Sequence, residues 1–107
     1  MVRRFVGVEI EKEDCIAPDH PALDGHFPGN PIVPGVLILE QVGLAIEELG
    51  SCVEITQLHR VKFTAPLRPS DRFRIRISET EPQRFRFECS RVDGTTVAIG
   101  DFSVTAR

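Results

Sequence analysis

Two side chains have the types and settings for proton transfer, Glu40 and His26. On a helix, Glu40 has Val36, Leu37, Gly43 and Leu44 at its adjoining i−4, i−3, i+3 and i+4 positions, so its face is apolar. A carboxylate taken out of water without a partner is costly, or its pKa rises until it keeps its proton. A carboxyl protonated near neutral pH is what a general acid requires. The plainer alternative is that this face, which also carries Glu47, reaches solvent. His26 lies in Gly-His-Phe-Pro-Gly, where the glycines permit close backbone approach and Phe27 supplies an apolar wall. That setting is uncommon for a histidine; the plainer alternative is a surface or hydrogen-bonded structural residue. Gly35, after Pro34, starts the helix, and the free N–H groups at Gly35 and Val36 carry the positive end of its dipole. They could receive negative charge developing on an oxygen, or they could be no more than a helix-start turn.

These residues need a scaffold. Residues 17–34 hold Pro18, Pro21, Pro28, Pro31 and Pro34 with Gly25 and Gly29. Five fixed φ angles predict a stiff, irregular loop able to hold a side chain in place. A helix is predicted over 35–49, closed by Gly50 at C′, and its apolar residues face most directions, which predicts enclosure by the rest of the fold. Alternation predicts strands. Val61 and Phe63 alternate with Lys62 and Thr64, Phe73, Ile75 and Ile77 with Arg72, Arg74 and Arg76, and Phe85, Phe87 and Cys89 with Arg84, Arg86 and Glu88. Asp93-Gly94 predicts a hairpin turn into a last strand through Val97 and Val104. Residues 3–10 alternate weakly and predict an edge strand. The expected fold class is α+β, one antiparallel sheet wrapped around one helix, in a single domain over 1–107.

Composition narrows the function. A net charge of −3 without Trp or Tyr argues against nucleic-acid binding. No segment reads as a signal peptide, and the apolar run 32–39 is too short to span a bilayer, so a cytoplasmic protein is expected. Cys15, Cys52 and Cys89 are scattered without ligand spacing, which predicts reduced thiols acting as small apolar side chains. Asp19, His20 and Asp24 match no compact ligand motif, so no metal is expected.

The stretch His20-Pro-Ala-Leu-Asp-Gly-His-Phe-Pro-Gly-Asn-Pro-Ile-Val-Pro-Gly-Val-Leu-Ile-Leu-Glu40 closely resembles the 3-hydroxyacyl-(acyl carrier protein) dehydratases of fatty acid synthesis. Gly-His-Phe-Pro-Gly, Pro31, Pro34-Gly35-Val36 and Leu39-Glu40 all fall in register. Val61-Lys-Phe-Thr-Ala-Pro66 and Arg68-Pro-Ser-Asp71 look like the same family's strand and turn after the helix, so the similarity runs from about Asp19 onward. The resemblance implies a hot-dog fold, a homodimer or a larger assembly, no cofactor, and a substrate tunnel at the subunit interface. It implies that His26 of one subunit removes the α-proton of the thioester while Glu40 of the other, directly or through water, protonates the departing hydroxyl. Gly35 and Val36 would bind the thioester carbonyl beside Phe27, and the backbone carbonyl of Ile32 would orient the His26 ring.

Two departures stand out. Leu44 occupies the position, one turn after the acid, where the family commonly has glutamine, and the N-terminal segment is short. Both suggest a specialised relative, for example in a secondary-metabolite or polyene pathway. Competing readings are a hot-dog thioesterase and a non-catalytic acyl-carrier-binding subunit that pairs with an active homologue. Arg72, Arg74, Arg76, Arg84 and Arg86 share one parity on two strands expected to pair, so they should project from one sheet face. Acyl carrier proteins are acidic, and this stripe could steer them in; a solvated, partly neutralised face is the alternative.

Overall fold

The computed structural model describes residues 9–17, 19, 32–48 and 53–106. The elements are β1 (Glu9–Asp14), α1 (Gly35–Glu47), β2 (Val53–Phe63), β3 (Phe73–Glu81), β4 (Arg84–Arg91) and β5 (Thr96–Ala106). The strands form one antiparallel sheet in the order β1-β3-β4-β5-β2. The helix packs on one face of it, which is the α+β hot-dog arrangement.

Alternation explains the inner face. Phe73, Ile75 and Ile77 of β3, Phe85, Phe87 and Cys89 of β4, and Ala98 and Phe102 of β5 are all buried. Leu37, Ile38, Val42, Ala45 and Ile46 of α1 close over them, together with Ile16, Val33 and Leu67. Phe85 stacks on Phe102 with centroids 5.6 Å apart, and Phe87 lies tilted against Phe102 at 6.2 Å. Gly100 is required where it is, because an added Cβ would fall 2.5 Å from the Arg60 carbonyl oxygen and 2.7 Å from the Phe87 ring. Ile77 is wholly enclosed, so Ile77→Val should lower unfolding free energy by about 1 kcal/mol, read from a urea titration. Burial pushes the Cys89 thiol up to about 11, which keeps it protonated and inert.

Three expectations need correction. The edge strand is Glu9–Asp14; the part of the expected strand before Glu9 lies outside the described residues. β1 pairs with β3 along its whole length, and its acidic side chains face the arginines of that neighbour. Glu11 lies 3.4 Å from both Arg74 and Arg76, and Glu13 lies 3.6 Å from Arg72 and 3.4 Å from Arg74. Strand β2 begins eight residues before Val61, at Val53, and two register shifts, at Ile55/Gln57 and Leu58/Arg60, hide its period. The helix is not enclosed all round. Val36, Glu40, Leu44 and Glu47, one stripe at helical spacing, are exposed, Val36 at 66% and Leu44 at 45%.

Candidate active site

The start of α1 is held without a side-chain cap. Pro34, at the N-cap, has extended φ and ψ of −62° and 144°. The Leu37 N–H donates back to the Pro34 carbonyl at 3.0 Å, while the N–H groups of Gly35 and Val36 have no acceptor among the described residues. Among the described residues, the positive end of the helix dipole thus meets no protein acceptor.

A cavity of about 370 Å³ opens beside this helix end, lined by Ile32, Val33, Gly35, Ile38, Phe63 and the segment 64–67. The wall formed by 64–67 is fixed by its backbone. The Thr64 N–H donates to the Val97 carbonyl at 2.8 Å, and its hydroxyl donates to the Thr96 carbonyl at 2.8 Å. The Pro66 carbonyl accepts from Arg91 Nη1 at 2.8 Å, and the Leu67 carbonyl accepts from the Val33 N–H at 2.7 Å. That last bond ties the approach to the helix directly to the strand exit. The Phe63 ring covers Gly35 so closely that an added Cβ would lie 2.5 Å from Phe63 Cζ. Glycine at position 35 thus leaves room for a ring that is half in solvent and half over the helix end. The cavity is apolar on most sides, with a helix dipole end at one side, which suits an apolar ligand carrying a polar oxygen.

Glu40 lies on the same helix, five residues after Gly35, or roughly 7.5 Å along the axis. It is exposed on the open stripe, with Val36 one turn before it and Leu44 one turn after. Of the two sequence alternatives for this face, the single chain shows the solvent-reaching one, yet the carboxyl is bracketed by apolar side chains that water should not be covering. Ile32 and Gly35 line the cavity, whereas Val36 and Glu40 lie on the exposed stripe of the same helix and are not part of its lining. His26 and Phe27 lie outside the described residues. Phe63 and the segment 64–67 were given no site role from sequence; an aromatic at the last position of a strand, three residues before Pro66, was the available signal.

The five arginines do project from one sheet face, opposite to the helix, since their β3 and β4 neighbours in alternation are buried. Arg72, Arg74 and Arg76 are already engaged by Glu11 and Glu13, whereas Arg84 and Arg86 make no ion pair among the described residues.

Comparison with known proteins places this geometry. The ApeI-like family (ApeI dehydratase) matches residues 6–101. The chain belongs to the ApeI-like dehydratase family. It is 33% identical over 102 residues to a 3-hydroxyacyl-[acyl-carrier-protein] dehydratase FabZ of Caulobacter sp. (strain K31), a match covering 83% of this chain and 63% of that protein. The chain therefore spans less than two thirds of the length of that relative. Among solved structures, an uncharacterized protein from Erwinia carotovora subsp. atroseptica superposes with a TM-score of 0.80 at 25% identity, covering 92% of this chain and 83% of the other. The dehydratase heterocomplex ApeI:P from Xenorhabdus doucetiae gives a TM-score of 0.79 at 23% identity over 92% and 88%.

Proposed function

We propose that this chain dehydrates a 3-hydroxyacyl thioester, on acyl carrier protein, to the trans-2-enoyl thioester. The observation that carries the reading is the helix whose uncapped start faces an apolar cavity and whose open stripe carries Glu40 between Val36 and Leu44. The substrate carbonyl takes the Gly35 and Val36 N–H groups, which stabilise the enolate-like charge as it forms. His26, its ring oriented by the Ile32 carbonyl, removes the α-proton. Glu40 gives its proton to the leaving hydroxyl, which departs as water. Phe27 and Phe63 keep bulk solvent from the reacting carbons.

The same reading calls for a second copy of the chain. The two sheet edges differ. β1 is six residues long and crowded with charge, which blunts it. β2 is eleven residues long and exposes Leu58 at 45% and Phe63 at 51%. A long edge of that kind is a pairing surface unless covered. Antiparallel pairing of β2 with its copy would continue the sheet and bring the open stripe of α1 under the partner. Glu40 would then sit at the subunit boundary, shielded from bulk water. Among the described residues, no helix is long and apolar enough to cross a membrane.

The test is to incubate the purified chain with 3-hydroxyacyl thioesters of several lengths, on acyl carrier protein and on coenzyme A, and to follow the conjugated enoyl product by absorbance. Enoyl formation without free thiol is expected. Free thiol with no enoyl product would mean a thioesterase, and neither product would leave a non-catalytic carrier-binding subunit.

A further inference from the structure

The outer face of the sheet separates into two halves of different charge. On the β1–β3 half, Arg72, Arg74 and Arg76 are matched by Glu11 and Glu13 at 3.4–3.6 Å, with Glu9 exposed at the end of the same acidic row. On the other half, Arg84 and Arg86 of β4 and Arg60 and Lys62 of β2 face outward around two carboxylates, Glu88 and Asp101. None of these four cations makes an ion pair among the described residues, although Asp101 is the register partner of both Arg60 and Arg86. Arg60, Lys62 and Arg86 rim a depression of about 260 Å³ floored by Ile99, Gly100 and Asp101. In a chain of net charge −3, this half carries a local surplus of positive charge.

Its position matters as much as its sign. Lys62 and Phe63 are consecutive residues at the end of β2, so they point to opposite faces of the sheet. Lys62 is at the cationic depression; Phe63 covers Gly35 at the mouth of the apolar cavity. A partner seated on the outer face is thus one strand's thickness from the cavity. A flexible arm could pass around the strand end near Thr64 to reach it.

We propose that the depression rimmed by Arg60, Lys62 and Arg86 is the docking surface for an acidic carrier protein, with the β3 arginines excluded because β1 already neutralises them. This rests on the dehydratase reading above and refines it: the acidic helix of the carrier protein lies across the β4–β5–β2 half, and its thioester arm enters beside Phe63. Exposed charges of this kind act on encounter rate and are screened by salt.

The test measures binding, so that it does not depend on turnover. A fluorescently labelled acyl carrier protein bearing its phosphopantetheine arm is titrated with Lys62→Glu, Arg86→Glu and Arg72→Glu proteins, three substitutions with the same change in net charge. Lys62→Glu and Arg86→Glu should each raise Kd roughly fivefold or more at low salt, with the difference shrinking at high salt. Arg72→Glu should change it less than about twofold. Because Arg86 lies on β4, away from the β2 edge, its variant reports on docking even if Lys62→Glu disturbs subunit pairing. Equal effects from all three variants, or none from the first two, would overturn the proposal. So would an equal rise in Kd for a coenzyme A thioester, which would make the depression a phosphate site. Dehydration with unchanged Kd would sink the docking surface alone; altered Kd with no dehydration would sink the activity alone.

Discussion

Purified Glu40→Gln protein is expected to dehydrate a 3-hydroxyacyl thioester at least about 10²-fold more slowly than the parent, while melting at nearly the same temperature. The two halves of that expectation have separate origins. Glu40 makes no hydrogen bond or ion pair among the described residues, so glutamine removes none of the contacts described there, and it keeps the side chain's size whether the stripe meets water or a partner. The amide keeps the size and polarity of the side chain but has no proton to give to a departing hydroxyl. Losing general acid help costs about 10² to 10⁴ in rate. His26→Ala should lose a comparable factor through the opposite role, because the α-proton of a thioester is weakly acidic and needs a placed base. A Glu40→Gln enzyme turning over within about threefold of the parent would remove the carboxyl from the chemistry. A large drop in melting temperature would instead mean that Glu40 serves the fold.

That prediction depends on residues the sequence exposed to view with uneven clarity. β3 and β4 were legible because Phe73–Ile77 and Phe85–Cys89 alternate without interruption, and the structure buries each of those apolar positions. β1 was not, because Glu-Ile-Glu-Lys-Glu-Asp reads as a solvated charged stretch until Arg72, Arg74 and Arg76 arrive from some sixty positions away. The pairing is long-range, and local propensity carries no trace of it. The first half of β2 was hidden by its two register shifts, each of which inverts the inside–outside parity that alternation relies on. The same distance problem applies to charge. Five arginines of one parity look like one stripe, yet three are matched by β1 and two join Arg60 and Lys62 on the far side of the face. At the helix start, Gly35 after Pro34 and Glu40 among apolar neighbours stood out in the sequence itself, whereas Ile32 was named only through the family resemblance. Phe63 was not, since only the fold carries its ring onto Gly35. The helix itself was readable as apolar nearly all round. Its sequence could not say which side meets the sheet and which awaits another chain.

The open side of the helix leads to the second large effect, which concerns two inactive proteins rather than one. If the base and the acid of each site come from different subunits, His26→Ala and Glu40→Gln proteins are each nearly dead alone but active together. In a hybrid dimer, one site combines both substitutions and the other combines neither. Random pairing makes half the dimers hybrids, each with one intact site of two, so co-expressed chains should recover roughly a quarter of parent activity. The hybrid is isolated by two different affinity tags, and its turnover is compared with that of each tagged homodimer. Recovery on this scale requires three things at once: self-association, a site shared across the association surface, and separate roles for the two side chains. It follows from the asymmetry of the sheet edges, since β1 is short and charged while β2 is long and exposes Leu58 and Phe63, and from the uncovered Val36–Leu44 stripe that brackets Glu40. Hybrids as inactive as their parents would place the imidazole and the carboxyl in one chain. The exposed stripe would then need a different cover, and the acid a different route to its proton.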